Sequence, residues 1–150
     1  MAEYSQVVNK ALQQALVDLT DLSLLGKQAH WNIEGSRFRS LHLALDEIID
    51  QVRLDADEVA ERMAALDMIP DARSATVASQ SGVKQFDGTK LKVDEVYSQF
   101  QEMLMGVSDR IKATLDEVDE VDHLSNDLLI GIAAGLEKQA WMLRMAAQGD

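Results

Sequence analysis

Several residue types are missing or rare in this chain of 150 residues, and each absence excludes a class of protein. Cysteine is absent, which excludes disulfide bonds and thiolate metal sites. Pro70 is the only proline, so long helices can run without interruption. No apolar run approaches the roughly 18 residues of a membrane span, and we therefore expect no membrane association.

Positive charge is also scarce. Fourteen lysines and arginines stand against 26 aspartates and glutamates, which gives a formal net charge of −12. Lys10 is the only cation in the first 26 residues, and the last five residues, AAQGD, contain none. Because such a surface repels the phosphate backbone of nucleic acids, we expect no strong direct DNA binding at physiological salt. The acidity favours solubility and would also gather divalent cations.

The opening residues, MAEYSQVVNK, are polar and lack the basic-then-apolar pattern of a secretion signal. We therefore expect a cytoplasmic protein, associated with the nucleoid only if DNA binding occurs. The length fits a single domain over residues 1–150 that is large enough to bury a substantial core.

Apolar residues recur at helical spacing through four long segments. These segments run from Val8 to Ile33, from Leu41 to Leu66, from Val93 to Val118 and from Leu124 to Ala147. No comparable stretch shows the two-residue alternation of a β-strand. Four helices of about 25 residues each predict an all-α four-helix bundle.

The stretch from Asp67 to Leu91 interrupts this helical pattern. It contains Pro70, Gly82 and Gly88, and we expect at most one short helix in it, near Ala75 to Ser81. A long crossover between the second and third helices is typical of ferritin-like bundles, in which those two helices run in the same direction.

The most informative pattern consists of two histidines and three carboxylates: His30, His42, Asp46, Asp57 and Glu61. Nitrogen and hard oxygen ligands in one set favour iron, manganese or zinc. His42 and Asp46 are four residues apart, as are Asp57 and Glu61, so each pair shares one face of a helix.

The spacing between these pairs predicts a site shared between subunits. Asp46 and Asp57 are eleven residues apart, which is about 16 Å along a helix. Since metal–ligand bonds are only about 2 Å long, one straight helix cannot easily supply both pairs to one centre. A second copy, antiparallel across a two-fold axis, would bring the first pair of one chain to the second pair of its partner.

Alternative interpretations of the charged residues remain open. Asp57 and Glu61 could form a surface ion-pair face with Arg53 and Arg62. The separate Glu120-x-x-His123 pair has the spacing of di-iron carboxylate bundles. Those bundles need a second such pair and two further glutamates, so we set this pair aside as a di-metal site.

Acidic residues also surround the start of the fourth helix. Asp119, Asp122 and Asp127 would stabilise a helix N-terminus, and Asp122 or Ser125 could cap it. A ring of carboxylates around a cation pore is the functional alternative. Trp31 adjoins His30 and is either a packing residue or a redox accessory to a nearby metal.

The run Lys27-Gln28-Ala29-His30-Trp31-Asn32, followed by Phe38, His42, Asp46, Asp57 and Ala60-Glu61-Arg62, resembles the Dps family of mini-ferritins. The resemblance extends over essentially the whole chain, including Asp122-x-x-Ser125-x-Asp127-Leu128-Leu129 and Trp141. It implies a hollow dodecamer with 23 symmetry. It also implies ferroxidase centres at the two-fold interfaces, with His30, His42 and Asp46 from one chain and Asp57 and Glu61 from the other.

The resemblance implies an activity as well. Such proteins oxidise Fe(II), preferably with hydrogen peroxide, and store ferric mineral in the cavity, which reduces Fenton chemistry. Asp122 and Asp127 would line a pore, with Asp119 as a further candidate, and Glu47 and Asp50 would nucleate mineral. Iron is the expected metal, and zinc or another divalent ion could occupy the same site.

The termini differ from those of DNA-binding members of the family, which carry Lys- or Arg-rich tails. Here the N-terminal stretch is nearly uncharged and the C-terminal stretch ends in Asp150. We therefore expect an iron-storing ferroxidase without strong DNA binding. The alternatives from other classes are a structural DNA-compacting shell and a hydrolase that uses the same metal to activate water.

Overall fold

A computed structural model describes residues 3–148 of the chain, with side chains from residue 6 onward. Four long helices form the body: α1 (Glu3–Asn32), α2 (Phe38–Ala65), α4 (Val93–Lys112) and α6 (His123–Ala147). Two short helices, α3 (Ser74–Gln80) and α5 (Leu115–Asp119), and two short strands, β1 (Ile33–Glu34) and β2 (Leu91–Lys92), lie between them. The predicted all-α four-helix bundle is confirmed.

The core lies between the apolar faces of the long helices. Its fully buried side chains include Leu12, Leu19, Leu41, Leu45, Phe100, Leu104, Leu129 and Leu136. They recur at the three- and four-residue spacing that the sequence shows. Burying one such side chain stabilises the fold by about 1.5–3 kcal/mol. Within residues 3–148, no helix is long and apolar enough to cross a membrane.

Helices α1 and α2 pack closely around Gly26. A Cβ atom built on Gly26 would lie only 2.6 Å from Cγ1 of Ile49 on α2. Only a residue without a side chain therefore allows this approach, because interiors are close-packed and tolerate little added volume. The contact lies one helical turn before His30 and sets the spacing of the two helices there.

The crossover between α2 and α4 returns along α1. Gln13 donates to the carbonyl oxygen of Asp71 at 2.8 Å, and Gln28 donates to that of Thr89 at 3.4 Å. Later crossover residues thus contact later residues of α1. Strand β1 precedes α2, β2 precedes α4, and the two strands are parallel. Helices α2 and α4 therefore begin at the same end of the bundle and run in the same direction, as the crossover length predicts.

Two buried carboxylates attach the crossover to α1. Asp18, only 1% exposed, accepts hydrogen bonds from the backbone N–H of Gly82 at 2.8 Å and from Nε of Arg110 at 2.7 Å. Asp21 accepts one from Oγ of Ser81 at 2.6 Å. A buried carboxylate is tolerated only when it is paired in this way. The apolar pattern gave no signal for this cluster.

Two details of the expected secondary structure are wrong. The third helix was expected to continue from Val93 to Val118, but α4 ends at Lys112 and α5 begins at Leu115. The backbone N–H of Thr114 (3.0 Å) and its Oγ1 (2.7 Å) both donate hydrogen bonds to the carbonyl oxygen of Ile111. These bonds replace the helical hydrogen-bond pattern with a tight turn. The strand pair was not expected because two residues are too few to show an alternation.

Candidate metal centre

The α1–α2 hairpin brings two histidines face to face. His30 lies in the last turn of α1 and His42 near the start of α2. Their rings stack with centroids 3.6 Å apart and an interplanar angle of 12°. The ring of Phe38 also stacks with that of His42, at 5.0 Å. The intervening turn uses a positive φ at Gly35, which a glycine adopts without strain.

Reciprocal hydrogen bonds determine which ring nitrogen of each histidine is available. Nδ1 of His30 lies 2.7 Å from the carbonyl oxygen of His42, and Nδ1 of His42 lies 2.8 Å from that of His30. Because a carbonyl oxygen only accepts, each Nδ1 carries the hydrogen and donates it. Nε2 of the neutral ring then keeps its lone pair, the form in which histidine binds metals.

Asp46 lies beside this histidine pair. Its Oδ1 is 3.6 Å from Nδ1 of His30, too far for a hydrogen bond, but it accepts one from Nζ of Lys27 at 2.6 Å. The Lys27 bond lowers the pKa of Asp46, so the carboxyl group is ionised at neutral pH. No described residue donates to its Oδ2, which is therefore available to a cation.

Asp57 and Glu61 lie further along α2, and both side chains are exposed. Within residues 6–148, neither forms a salt bridge. The ion-pair alternative with Arg53 and Arg62 is therefore not supported. Arg62 instead forms a salt bridge with Asp122, with Nη2 2.9 Å from Oδ2.

The candidate ligands fall into two separate sets within one chain. In its described part, no three histidine, aspartate or glutamate side chains converge tightly enough to hold a metal ion. The first set is His30, His42 and Asp46, and the second is Asp57 and Glu61. The second set begins eleven residues after Asp46, about 16 Å along the helix axis.

Asp122 caps α6 and binds Arg62. It accepts from the backbone N–H of Leu124 at 3.2 Å, from Nη2 of Arg62 at 2.9 Å and from Oγ of Ser125. Burial raises the pKa of Asp122, but the hydrogen bonds from Ser125 and Arg62 outweigh it and hold the pKa below its ordinary value. The predicted cap is confirmed, and much of the hydrogen-bonding capacity of this expected pore residue is used within the chain.

The other expected functional residues lie apart from the histidine pair. Glu47 and Asp50 are exposed on α2, and Asp127 is exposed on α6. Trp31 follows His30 directly, but its side chain is 68% exposed. Asp119 contacts His123, with its Oδ1 2.9 Å from Nδ1.

Two features of the centre were not expected from the sequence. Lys27 belongs to the motif that carries the family resemblance, but its ion pair with Asp46 depends on how α1 and α2 align. The two carbonyl groups that fix the histidine rings belong to the backbone, so the residue types do not reveal them. The three-residue spacing of Lys27 and His30 was the one available signal, since it places both on one helix face.

Comparison with known proteins gives matches over almost the whole chain. The model of the ferritin-like domain family matches residues 9–148. The chain is 32% identical to DNA protection during starvation protein 2 of Deinococcus radiodurans, over 93% of this chain and 58% of that protein. It is also 32% identical to the DNA protection during starvation protein of Mycolicibacterium smegmatis, over 89% of this chain and 73% of that one.

A solved structure gives the same result. The crystal structure of Dps92 from Deinococcus radiodurans superposes with a TM-score of 0.95 at 30% identity, covering 99% of this chain and 90% of that one. The bundle, its crossover and the family match define a ferritin-like protein. Within that class, the chain belongs to the Dps family. It spans little more than half the length of the first Deinococcus relative.

Proposed function

We propose that this protein is an iron-storing ferroxidase, which oxidises Fe(II) and retains the ferric product. Membership of the Dps family supports a protective role related to iron. The observation that carries the finer proposal is the histidine pair. Both Nδ1 atoms donate to backbone carbonyls, which leaves two Nε2 atoms for metal beside the ionised carboxylate of Asp46.

A second copy of the chain would complete the centre. Asp57 and Glu61 are exposed and form no salt bridge in the described chain, and a two-fold axis would place them opposite the histidine half of a partner. Large apolar side chains on the same two helices support such a contact, since Leu24 is 54% exposed and Leu54 59% exposed. We propose assembly into a dodecamer with 23 symmetry, as in the family it belongs to.

Iron is the substrate of the proposed reaction. Two Fe(II) ions each give one electron to a molecule of hydrogen peroxide, whose O–O bond breaks. With two water molecules, the products are two ferric oxyhydroxide units and four protons. Carboxylates suit the product because Fe(III) is a harder ion than Fe(II). Zinc would bind the same nitrogen and oxygen atoms without undergoing redox and would therefore inhibit.

Other expected residues keep accessory roles in this proposal. Trp31, next to His30, would intercept oxidising equivalents. Glu47 and Asp50 would nucleate mineral. Asp127 would line a cation pore, and Asp122 would contribute its charge there while it holds Arg62.

DNA binding at physiological salt is not part of the proposed function. Within residues 6–148, ion pairs with carboxylates involve seven of the fourteen lysines and arginines: Lys27, Arg37, Arg62, Arg73, Lys90, Arg110 and Lys112. With a net charge of −12, few cations remain to neutralise phosphates. We accordingly propose that protection comes from removing Fe(II) and peroxide.

Mixing anaerobic protein with Fe(II) and then hydrogen peroxide tests the proposal. The wild type should show a fast rise in ferric absorbance and retain a soluble ferric core. His30→Gly with His42→Gly should oxidise iron no faster than protein-free buffer. Ser40→Gly, an exposed change that adds one glycine to the first turn of α2, is the control. An unchanged rate in the double variant would disprove the site, and a slow wild type would disprove the activity.

A further inference from the structure

A cavity of about 190 Å³ lies between the second half of the crossover and α4. Residues 82–87 form its crossover wall, and one face of α4 forms the other wall with Gln99, Glu102, Met103, Gly106 and Arg110. The volume equals that of about six water molecules at about 30 Å³ each, so a small organic molecule can enter. None of the lining residues belongs to the proposed ferroxidase centre.

Hydrogen bonds to α1 hold the crossover wall of this cavity in place. Asp18 accepts one from the backbone N–H of Gly82 at 2.8 Å, and Asp21 accepts one from Nε2 of Gln85 at 2.8 Å. Both carboxylates are buried, and hydrogen bonds to charged groups are stronger than those between neutral groups. The cavity is therefore formed before a ligand binds, which lowers the entropic cost of binding.

Arg110 contributes a guanidinium group with incomplete pairing to the cavity. Its Nε donates to Oδ2 of Asp18 at 2.7 Å. Oδ1 of Asp18 accepts instead from Gly82 and from Nε2 of Gln14, so the usual two-bond pairing of arginine with a carboxylate does not form. Nη2 of Arg110 is buried and has no acceptor among the described residues. A buried donor without an acceptor is rare and indicates that the guanidinium lacks a partner.

Two glycines leave room beside this guanidinium. A Cβ atom built on Gly82 would lie 2.7 Å from Nε of Arg110, and one built on Gly106 would lie 3.5 Å from Nη1. The missing side chain of Gly82 thus lets the crossover pass close to the guanidinium. The missing side chain of Gly106 leaves space next to Nη1, where an anionic oxygen could accept at about 2.7–2.9 Å.

The rest of the lining separates apolar and acidic groups from Arg110. Glu102 precedes Arg110 by eight residues on α4, which is about 12 Å along the helix axis. Met103 is buried and Phe86 partly buried, and they provide apolar surface. The charged residues of the lining are two cations and two carboxylates: Lys84, Asp87, Glu102 and Arg110. Such a lining suits a molecule with one anionic group and an apolar body.

We propose that this cavity binds a small organic carboxylate. Its carboxylate group accepts hydrogen bonds from the guanidinium of Arg110, whose planar set of donors matches that geometry. Its apolar body contacts Met103 and Phe86. Plain carboxylic acids and amino acids both have this chemistry, and the amino group of an amino acid with a long chain would approach Glu102. The site is independent of the proposed ferroxidase activity, because it uses none of the same residues.

Saturation-transfer NMR of the whole protein with hexanoate tests this site, because the method detects weak binding of small molecules. Hexanoate should bind more tightly than hexylamine, which has the same chain with a cationic group. Hexanoate with a terminal amino group distinguishes the two sources: tighter binding than hexanoate indicates an amino acid, and weaker binding a plain carboxylic acid. The proposal is overturned if hexanoate does not bind or if hexylamine binds equally well.

Two variants show whether hexanoate binds in this cavity. Arg110→Lys keeps a cation beside Asp18 but loses the planar set of donors, and it should weaken binding about tenfold. Gly106→Ala fills the space beside Nη1 and should weaken binding about fivefold. It should also fold at least as well as the wild type, because alanine favours a helix over glycine.

Gly131→Ala is the control, since it makes the same change within α6 with no other group within 4 Å of the added Cβ atom. It should bind hexanoate as the wild type does. An unchanged affinity in Arg110→Lys would contradict the proposal. If that variant fails to fold, an unchanged affinity in Gly106→Ala would contradict it instead.

Discussion

The two ends of α2 use their polar side chains in opposite ways. Near its start, His42 and Asp46 are bonded to groups of α1: the backbone of His30 and the ammonium of Lys27. Towards its end, Asp57 and Glu61 are exposed and without ion pairs in the described chain. The difference indicates that contacts within the chain hold the polar side chains near the start of α2 in place. Those towards its end face outward, and in our proposal they bind metal together with a partner subunit.

The most severe test of this difference is to replace the two exposed carboxylates, Asp57 and Glu61. Asp57→Asn with Glu61→Gln should reduce peroxide-dependent iron oxidation by more than about 100-fold, because two ligands of each centre are lost. The melting temperature of the chain should hardly change, since these side chains form no ion pairs within residues 6–148. Stopped-flow absorbance and thermal unfolding measure the two effects.

Glu58→Gln is the matched control, because Glu58 is an exposed carboxylate between the two ligands. It should retain the wild-type oxidation rate. Equal losses in the control and in the double variant would show that the general negative charge of α2 matters, and not ligation by these two residues.

The next largest effect should come from the contact between α1 and α2 at Gly26, which positions His42 and Asp46 against α1. Gly26→Ala places a methyl group 2.6 Å from Ile49 and must separate α1 from α2 or distort them. We expect a loss of about 1–3 kcal/mol in the free energy of unfolding and a slower oxidation rate. Gly88→Ala, where a Cβ atom would lie no closer than 4.0 Å to other groups, should have little effect in chemical denaturation.

The far half of α2 can be tested through Arg62, which follows Glu61. Asp122→Asn removes the charge that binds Arg62 and should cost about 1–2 kcal/mol at pH 7. The pKa of Asp122 lies below its ordinary value of 3.8, so its stabilisation is complete above that pH and is lost as pH falls through the lower folded value. The stability gap between wild type and variant, measured by chemical denaturation across pH, should therefore close below pH 3.8.

The smallest effect concerns the bond between Lys27 and Asp46. That bond lowers the pKa of Asp46, so in Lys27→Met the carboxyl group should remain protonated up to a higher pH. Since iron needs the carboxylate, the acid limb of the oxidation rate should move to higher pH, with a loss of about twofold near pH 3.8, the ordinary pKa of the group. Lys27→Arg keeps the charge and should restore the profile; an identical profile in Lys27→Met would show that the pair is incidental.

The bundle could be predicted because its determinants are repetitive and local. Apolar side chains such as Leu41, Leu45 and Leu129 recur at helical spacing, and Asp122 has the residue type of a helix cap. The end of α4 could not be predicted, because the bonds of Thr114 to Ile111 do not disturb the apolar stripe.

The candidate site was predictable only as a set of residues. The i, i+4 spacing identified the pairs His42–Asp46 and Asp57–Glu61, and the rise per residue of a helix showed that the two pairs lie far apart. The distances between helices could not be predicted, because they depend on packing. The approach at Gly26 sets how α1 meets α2, and only that register brings Lys27 to Asp46 and the ring of His30 onto that of His42. The assignment of Asp57 and Glu61 to a partner chain remains a prediction.

Mixing two inactive variants tests the shared centre most directly. One variant lacks the histidine half (His30→Gly, His42→Gly) and the other lacks the outward half (Asp57→Asn, Glu61→Gln). If each centre takes its halves from two chains, a mixed pair contains one intact centre and one doubly defective centre. Random co-assembly of equal amounts should then recover roughly a quarter of the wild-type oxidation rate. If the co-assembled protein, with mixed pairs confirmed by mass spectrometry, stays inactive, the centre is not shared between chains.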